Sequence, residues 1–503
     1  MRLGHKIVSD GMVLQRGEDF VLTGDGPNGA EVVVSFAGME KRALCKEHIF
    51  SVCFEQLEAG GPYSLDVSCN GGTTTVSDVL VGDVYFMSGQ SNMELDINWV
   101  YHSFKEEIDT FDSDSIRQFK VPIDYDFNEA LTDVAAGSWV KAKEDAKKTF
   151  GAIGFFMAKK LYEQNGVPIG LIQTAVPGCP IESFLTKENA EKFQKISLDE
   201  ICYDKQAMKA KIDRDLTSRQ ERVSQLLIQD RSMPEQQVKR TVIPLWWEND
   251  KDQAGIYTFR KKVNLPKQPE EDAILKLGLI IEADYTYVNG KLVGQTEYQY
   301  PPRRYVVPKE LLHEGENEIV VKVIVTNGVC RFWEKLDYTL QVEETTYDLM
   351  GVWEFSKGPF SKYGFFAKTF YEYLPYGVYN AMLAPLMDYK VAGLLWYQGE
   401  SNISHPEGYY KKFKTLVEQF RSQMKNPKFP VYYVQIACYE DPNDKDGIGW
   451  AAIRQEQEKA QSIDNAYMVV SDDVGSATDL HPQNKKAIGE RIADLVANFP
   501  YVR

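Results

Sequence analysis

Apolar and polar residues first alternate along this chain in short runs. Glu31-Val-Val-Val-Ser-Phe36 and Tyr63-Ser-Leu-Asp-Val67 are two such runs, and the region is punctuated by the turn pairs Asn28-Gly29, Gly60-Gly61 and Gly71-Gly72. Period-two runs between glycine turns predict a small antiparallel β-sandwich over residues 1–80. From residue 81 the pattern changes. Val81-Gly-Asp-Val-Tyr-Phe-Met-Ser88 and Ile169–Thr174 read as strands, a helix is predicted over Ala152–Asn165, and Val391-Ala-Gly-Leu-Leu-Trp-Tyr397 is continuously apolar. Such unbroken runs suit parallel strands covered on both faces, and strand–helix alternation predicts a three-layer α/β/α domain with a parallel sheet. A charged, helix-favouring stretch runs from Thr186 to Ser232. Short strands then return, among them Ala283-Asp-Tyr-Thr-Tyr-Val288 and Glu318-Ile-Val-Val-Lys-Val-Ile-Val325, with the hairpin signal Asn289-Gly290 between them. The expected organisation is a β-sandwich at 1–80, the α/β domain in two parts at 81–234 and 346–503, and an inserted jelly-roll-like β domain at 235–345.

Three polar strings stand at or beside the ends of these apolar runs: Gly89-Gln90-Ser91-Asn92-Met93, Gln398-Gly399-Glu400-Ser401-Asn402 and Asp479-Leu480-His481-Pro482. In open parallel sheets, reacting groups collect at the carboxyl ends of strands. A serine hydroxyl needs a neighbouring base, most often histidine. Of the six histidines, only His481 has a carboxylate two residues ahead of it, Asp479, which could orient the imidazole and stabilise its protonated form. Ser91 falls just past a strand, at the start of a predicted helix, where backbone N–H groups favour negative charge. Each string also has a plainer reading. Ser-Asn is a common helix cap, Asp-x-His-Pro a solvated loop before a helix, and Glu400 an ordinary surface carboxylate. Asn402 could donate its amide to a developing oxyanion. Gly178, in Val176-Pro-Gly-Cys-Pro-Ile181, could bring a bare N–H near a ligand, or could simply mark a turn.

Taken together, and in this order, the strings resemble the SGNH-hydrolase superfamily, and within it the sialate O-acetylesterase group. Its Gly-Gln-Ser-Asn-Met, Trp-Tyr-Gln-Gly-Glu-Ser-Asn and Asp-x-His-Pro blocks are all present, and so are the family-like strings Gly11-Met-Val-Leu-Gln-Arg16, Tyr379-Asn-Ala-Met-Leu383 and Arg454-Gln-Glu-Gln457. The resemblance implies an SGNH-type fold and a serine-dependent carbohydrate O-acetylesterase, sialate 9-O-acetylesterase-like, or an esterase of acetylated xylo- or manno-oligosaccharides. It implies Ser91 as nucleophile, His481 as general base and Asp479 as its orienter. The oxyanion hole would be the N–H groups of Ser91 and Gly178 with the Asn402 side chain. Gln90, Gln398, Glu400 and Arg454 are substrate-binding candidates, with Arg303 and Arg304 further candidates for a sialate carboxylate. No cofactor or metal is implied. Val176-Pro177-Gly178-Cys179 departs from the family's Trp-Gly-Gly-Thr, and Pro177 removes one N–H donor. The insert resembles the galactose-binding-like domain of family 2 glycoside hydrolases, including Gly315-Glu-Asn317. That likeness raises a glycosidase as the competing enzyme class, although it leaves Ser91, Asp479 and His481 without a role.

Composition narrows the setting. The net charge of −16 argues against nucleic acid and anionic membranes as partners, and it does not favour an anionic substrate. The expected partner is a small O-acetylated mono- or oligosaccharide; the oligomeric state is not encoded in any pattern here. Seven sparse cysteines without a Cys-x-x-Cys pair read as free thiols, with no zinc site. The start, Met1-Arg-Leu-Gly-His-Lys-Ile-Val, has no apolar signal core, so a cytoplasmic location is expected, or a periplasmic or secreted one if a signal precedes it. Trp246, Trp247, Tyr298, Tyr300, Tyr305, Trp333 and Trp353 lie in or near the insert, where aromatic faces serve either the core or a sugar ring.

Overall fold

The computed structural model describes residues 3–193, 204–233, 237–248, 254–297, 302–326, 329–334, 336–361, 369–441, 444, 446–499 and 501. Tyr298, Tyr300, Cys202 and the side chains of Trp246 and Trp247 lie outside this description. The other six cysteines are free thiols.

The fold is a mixed α/β arrangement around a largely parallel sheet. Its strands lie in the order Ala466–Val469, Val431–Val434, Gly393–Tyr397, Gly72–Gly89, Ile169–Gln173, Ser113–Lys120, Trp139–Ala142, and only the last joins antiparallel. Every residue of Gly393–Tyr397, Ile169–Gln173 and Val431–Val434 is buried, as their unbroken apolar runs require. Helices Ala152–Asn165 and Lys485–Asn498 pack on each other, closely enough that a Cβ at position 489 would collide with the Ile153 carbonyl. Helices Tyr409–Gln423 and Ile448–Lys459 form a second pair.

The first strand of this sheet lies in its middle. After it the chain fills one side and then crosses to the other, so Gly72–Gly89 is the topological switch point. Register aligns the exits: Gly89 pairs with Tyr397, and Gln173 with Met87. The loops after three strands therefore open at one place.

Gly72–Gly89 is also shared with the N-terminal β region. Its first half pairs antiparallel with Gly60–Cys69, and Leu80–Gly82 pairs parallel with Val13–Gln15. The expected boundary at residue 80 thus falls inside one continuous strand. Phe36 contacts Phe54 edge-on at 5.6 Å and Tyr63 at 5.7 Å, forming the core of this region.

The described residues between 239 and 360 form antiparallel sheets. The largest runs Lys239–Ile243, Gly351–Phe360, Gly255–Leu265, Gly315–Val325, Ala283–Val288, Lys291–Thr296, so its pairing continues past residue 345. Asn289 and Gly290 form the expected hairpin turn, both at positive φ (46° and 78°). The Gly-Glu-Asn string has a structural use here. The buried Asn317 accepts from Asn289 Nδ2 at 2.8 Å and donates to the His313 carbonyl at 2.7 Å. Tyr305, Trp333 and Trp353 are buried. Helix Lys205–Ser232 lays Val223 and Leu226 against Ile256, Ala283 and Ile324.

Inside this region Arg303 Nε donates to Asp284 at 2.7 Å with both side chains 0% exposed. Asp284 also accepts from Thr286 Oγ1 at 2.7 Å and Tyr305 Oη at 2.9 Å. A buried pair contributes little net stability, but removing one partner strands the other charge. Arg303→Met is therefore expected to lower unfolding stability by about 3–5 kcal/mol, read from the urea midpoint; a loss under about 1 kcal/mol contradicts the argument.

Candidate active site

Ser91 is the first residue of the one-turn helix Ser91–Glu94, directly after the switch-point strand. Gly89 lets the chain turn there: its φ is +121°, and a Cβ would collide with the Tyr397 carbonyl. Gln90 N then donates to that same carbonyl at 2.9 Å. The turn presents Ser91 Oγ to His481, whose Nε2 lies 2.9 Å away, 390 residues on in the chain. The leading N–H groups of a helix have no acceptor within it, and that of Ser91 is the first of these.

His481 is 8% exposed and meets the edge of Trp99 at 5.8 Å. Burial, and then the nearby Lys485 ammonium, push its pKa down to about 3, so the imidazole is neutral and able to accept a proton. Asp479 lies beside it, but Oδ1 accepts the His481 backbone N–H (2.9 Å), the nearest donor in an Asp-x-His turn. The described contacts thus place Asp479 on the loop rather than on the ring. Burial raises the Asp479 pKa, opposed by that backbone bond and by Lys276, Arg304 and Lys485. Lys276 and Arg304 reach it from the paired strands Ala273–Leu277 and Arg304–Val307, around a cavity of about 20 Å³ that also touches Trp99 and Asp337.

The other loops close in from the neighbouring strands. Gly178 has φ +75°, a Cβ there would collide with the Tyr373 hydroxyl, and its carbonyl accepts from Ser401 Oγ at 2.8 Å. Asn402 is 4% exposed; its Oδ1 accepts from Ile181 N at 3.1 Å and Gln398 Nε2 at 2.7 Å, and its Nδ2 donates to Glu182 at 2.9 Å. One Nδ2 hydrogen is therefore engaged and a second remains.

Of the four residues singled out in the sequence for substrate binding, Gln90, Gln398 and Glu400 are committed inward, and Arg454 lines a cavity of about 790 Å³. Gln90 accepts from the backbone N–H of Ser401 at 3.2 Å. Gln398 is fully buried and accepts from Tyr409 Oη at 2.8 Å. Glu400 accepts from Asn92 Nδ2 at 2.6 Å, and burial raises its pKa. Arg454 donates to Gln435 Oε1 at 3.0 Å and pairs with Asp472. Of the three arginine candidates, Arg303 and Arg454 are held by carboxylates, and Arg304 faces Asp479.

Sequence reasoning missed Asn92, Glu182, Lys412 and Lys485. Lys412 pairs with Glu182 at 2.6 Å and so backs Asn402. A signal existed for Lys485: a lysine four residues after His481 at a helix start, where cations are disfavoured.

Residues 361–498 match the family model for carbohydrate esterase, sialic acid-specific acetylesterase. A 196-residue stretch is 31% identical to sialate O-acetylesterase of Mus musculus, covering 34% of this chain and 35% of that protein. The Homo sapiens sialate O-acetylesterase is 29% identical over 197 residues, covering 35% and 37%. The chain thus spans about a third of the length of the curated relatives it matches. Among solved structures, a carbohydrate acetylesterase from Xanthomonas citri shares the fold with a TM-score of 0.61 at 21% identity, over 99% of this chain and 74% of that one. The family match includes the loop of Asp479 and His481 and the Gln398–Asn402 block.

Proposed function

We propose that the protein is a serine-dependent carbohydrate O-acetylesterase. The observation that carries this reading is the 2.9 Å contact between His481 Nε2 and Ser91 Oγ at the sheet's switch point. In the first half-reaction His481 takes the Ser91 proton as Oγ bonds to the acetyl carbon. The oxyanion forms against the N–H groups of Ser91 and Gly178 and the free Asn402 amide hydrogen. Collapse breaks the ester bond, and the His481 proton passes to the departing sugar oxygen. Water, deprotonated by the same imidazole, then attacks the acetyl-serine, the bond from the acetyl carbon to Oγ breaks, and His481 returns the proton to Ser91 Oγ as acetate leaves. Asp479 holds the His481 backbone in this scheme and adds a stabilising charge to the imidazolium. No step calls for a metal or organic cofactor.

The substrate is an O-acetylated mono- or oligosaccharide, and the names of the relatives favour an O-acetylated sialic acid. The net charge of −16 and the engagement of Arg303 and Arg454 by carboxylates support a second reading, a neutral acetylated xylo- or manno-oligosaccharide. The organisation that goes with this function is an α/β/α catalytic domain in two parts, an N-terminal β-sandwich, and a jelly-roll-like insert that reaches the site through Lys276 and Arg304. The test is acetate release, ranked by kcat/KM, from 9-O-acetyl sialic acid, acetylated xylo-oligosaccharides and acetylated manno-oligosaccharides. Preference for the sialic acid directs attention to Arg304. Preference for a neutral oligosaccharide selects the second reading, and silence from the whole panel overturns the esterase assignment.

A further inference from the structure

Lys485 opens the helix Lys485–Asn498 and is 0% exposed. Its ammonium donates to Asn92 Oδ1 and stands 5.7 Å from the Tyr397 ring centroid. Asn92, adjacent to Ser91, turns its amide hydrogens the other way, to Glu400 Oε1 at 2.6 Å and to the Leu480 carbonyl at 3.2 Å. Leu480 precedes His481. One cation and one amide thus tie together the serine block, the Gln398–Asn402 block and the histidine block. Asn92 and Glu400 are buried as well, so the cluster offers nothing to a substrate. A charged lysine is costly in such a place, at a helix N-terminus and out of water, where a methionine of similar reach is not. Its presence asks for a function.

We propose that Lys485 is a positioning residue: it holds the Asn92 amide between Glu400 and the Leu480 carbonyl, and through that carbonyl fixes His481 against Ser91. This rests on the esterase reading. The titratable groups facing Lys485 are Glu400 and Tyr397 from the end of strand Gly393–Tyr397, and Asp479 and His481 from the loop ahead of its own helix. Burial lowers the Lys485 pKa to about 8, while Asp479 and Glu400 hold it up. The same ammonium disfavours imidazolium at His481.

The test compares wild type, Lys485→Met and Lys485→Met/Glu400→Gln on 4-nitrophenyl acetate and an O-acetylated sugar from about pH 4 to about pH 10, with thermal melts alongside. Lys485→Met is expected to lower kcat by roughly 100-fold with KM little changed. Its acid limb should move to higher pH, because the cation that opposed imidazolium is gone. The wild-type alkaline limb near pH 8, where Lys485 loses its charge, should be absent. The double variant should recover about tenfold, since the buried carboxylate then no longer lacks its counter-charge. A lowered Tm with both limbs unmoved is the result of a purely structural lysine and overturns the proposal. Should Lys485→Met not fold, Glu400→Gln alone carries the test: without that carboxylate Lys485 loses its proton more readily, so the alkaline limb must drop below pH 8. An unmoved limb overturns it. If the wild type hydrolyses neither ester, the esterase reading fails by itself, and NMR titration of His481 in wild type and Lys485→Met still decides whether Lys485 governs the imidazole.

Discussion

Ser91→Ala is expected to reduce kcat/KM for acetate release by roughly 10⁴-fold or more, with the fold unchanged. The size of the effect follows from what is removed. Ser91 Oγ is the atom that bonds to the acetyl carbon in the proposed mechanism, and among the described residues it is the hydroxyl at His481 Nε2. Alanine leaves the oxyanion donors in place, so binding and polarisation of the ester survive and account for the residual rate. Stability should change little. Among the described residues the only hydrogen bond of Oγ is the one to His481, the residue is not fully buried, and alanine is at least as good as serine inside a helix. The measurement is steady-state acetate release on the preferred sugar, with a pre-steady-state burst on 4-nitrophenyl acetate as a second reading. Wild type should show the burst of acetyl-serine formation and the variant none. A variant retaining a tenth of the wild-type rate would remove Ser91 from the mechanism. A glycosidase site would leave Ser91→Ala nearly unaffected on its glycoside, because two carboxylates carry that chemistry.

The sequence revealed the parts of this site better than their contacts. The strand leading to Asn402 was legible because its burial on both faces demands an unbroken apolar run, and the one leading to Ser91 because it alternates β-favouring apolar and polar residues. That the switch-point strand continues back through residue 80 into the N-terminal β region was not legible. One strand serving two sheets shows only an ordinary alternation, and the glycine pairs that suggest a boundary also serve turns inside one unit. The polar strings were legible as a set, but the role of each side chain depends on rotamer and register. Asp479 illustrates this. Spacing of two residues puts its carboxylate near His481, and only the loop geometry decides that the backbone N–H receives it. Glu400, Gln90 and Gln398 look available in a string of polar letters, yet they tie one loop to the next. Lys485 lay hidden for the opposite reason. Lysine is expected at surfaces, and nothing in the letters around it shows that Asn92 and Glu400, about 400 and 85 residues away in the chain, converge on it.

His481→Gln should cost roughly 10⁴-fold in kcat/KM, and the pH dependence of the wild type and the variant together identifies the cause. A general base works in its neutral form, so its activity falls as pH drops through its own pKa. An ordinary histidine would give that fall near pH 6.5. Burial and Lys485 hold His481 down to about 3, so wild-type kcat/KM should stay flat between about pH 5 and about pH 7. The same shift links to stability, with a definite sign. Between about 3 and about 6.5 the unfolded chain binds a proton at this histidine and the folded protein does not, so unfolding takes up a proton and stability declines as pH falls through that window. His481→Gln removes the titrating group from both states. Its Tm should therefore decline less steeply than that of wild type from about pH 6.5 to about pH 4, while the two run parallel above about pH 7.5. Parallel Tm curves throughout, or a wild-type rate that halves near pH 6.5, would mean that the imidazole carries its proton in the usual range and that the buried, neutral base at Ser91 is wrong.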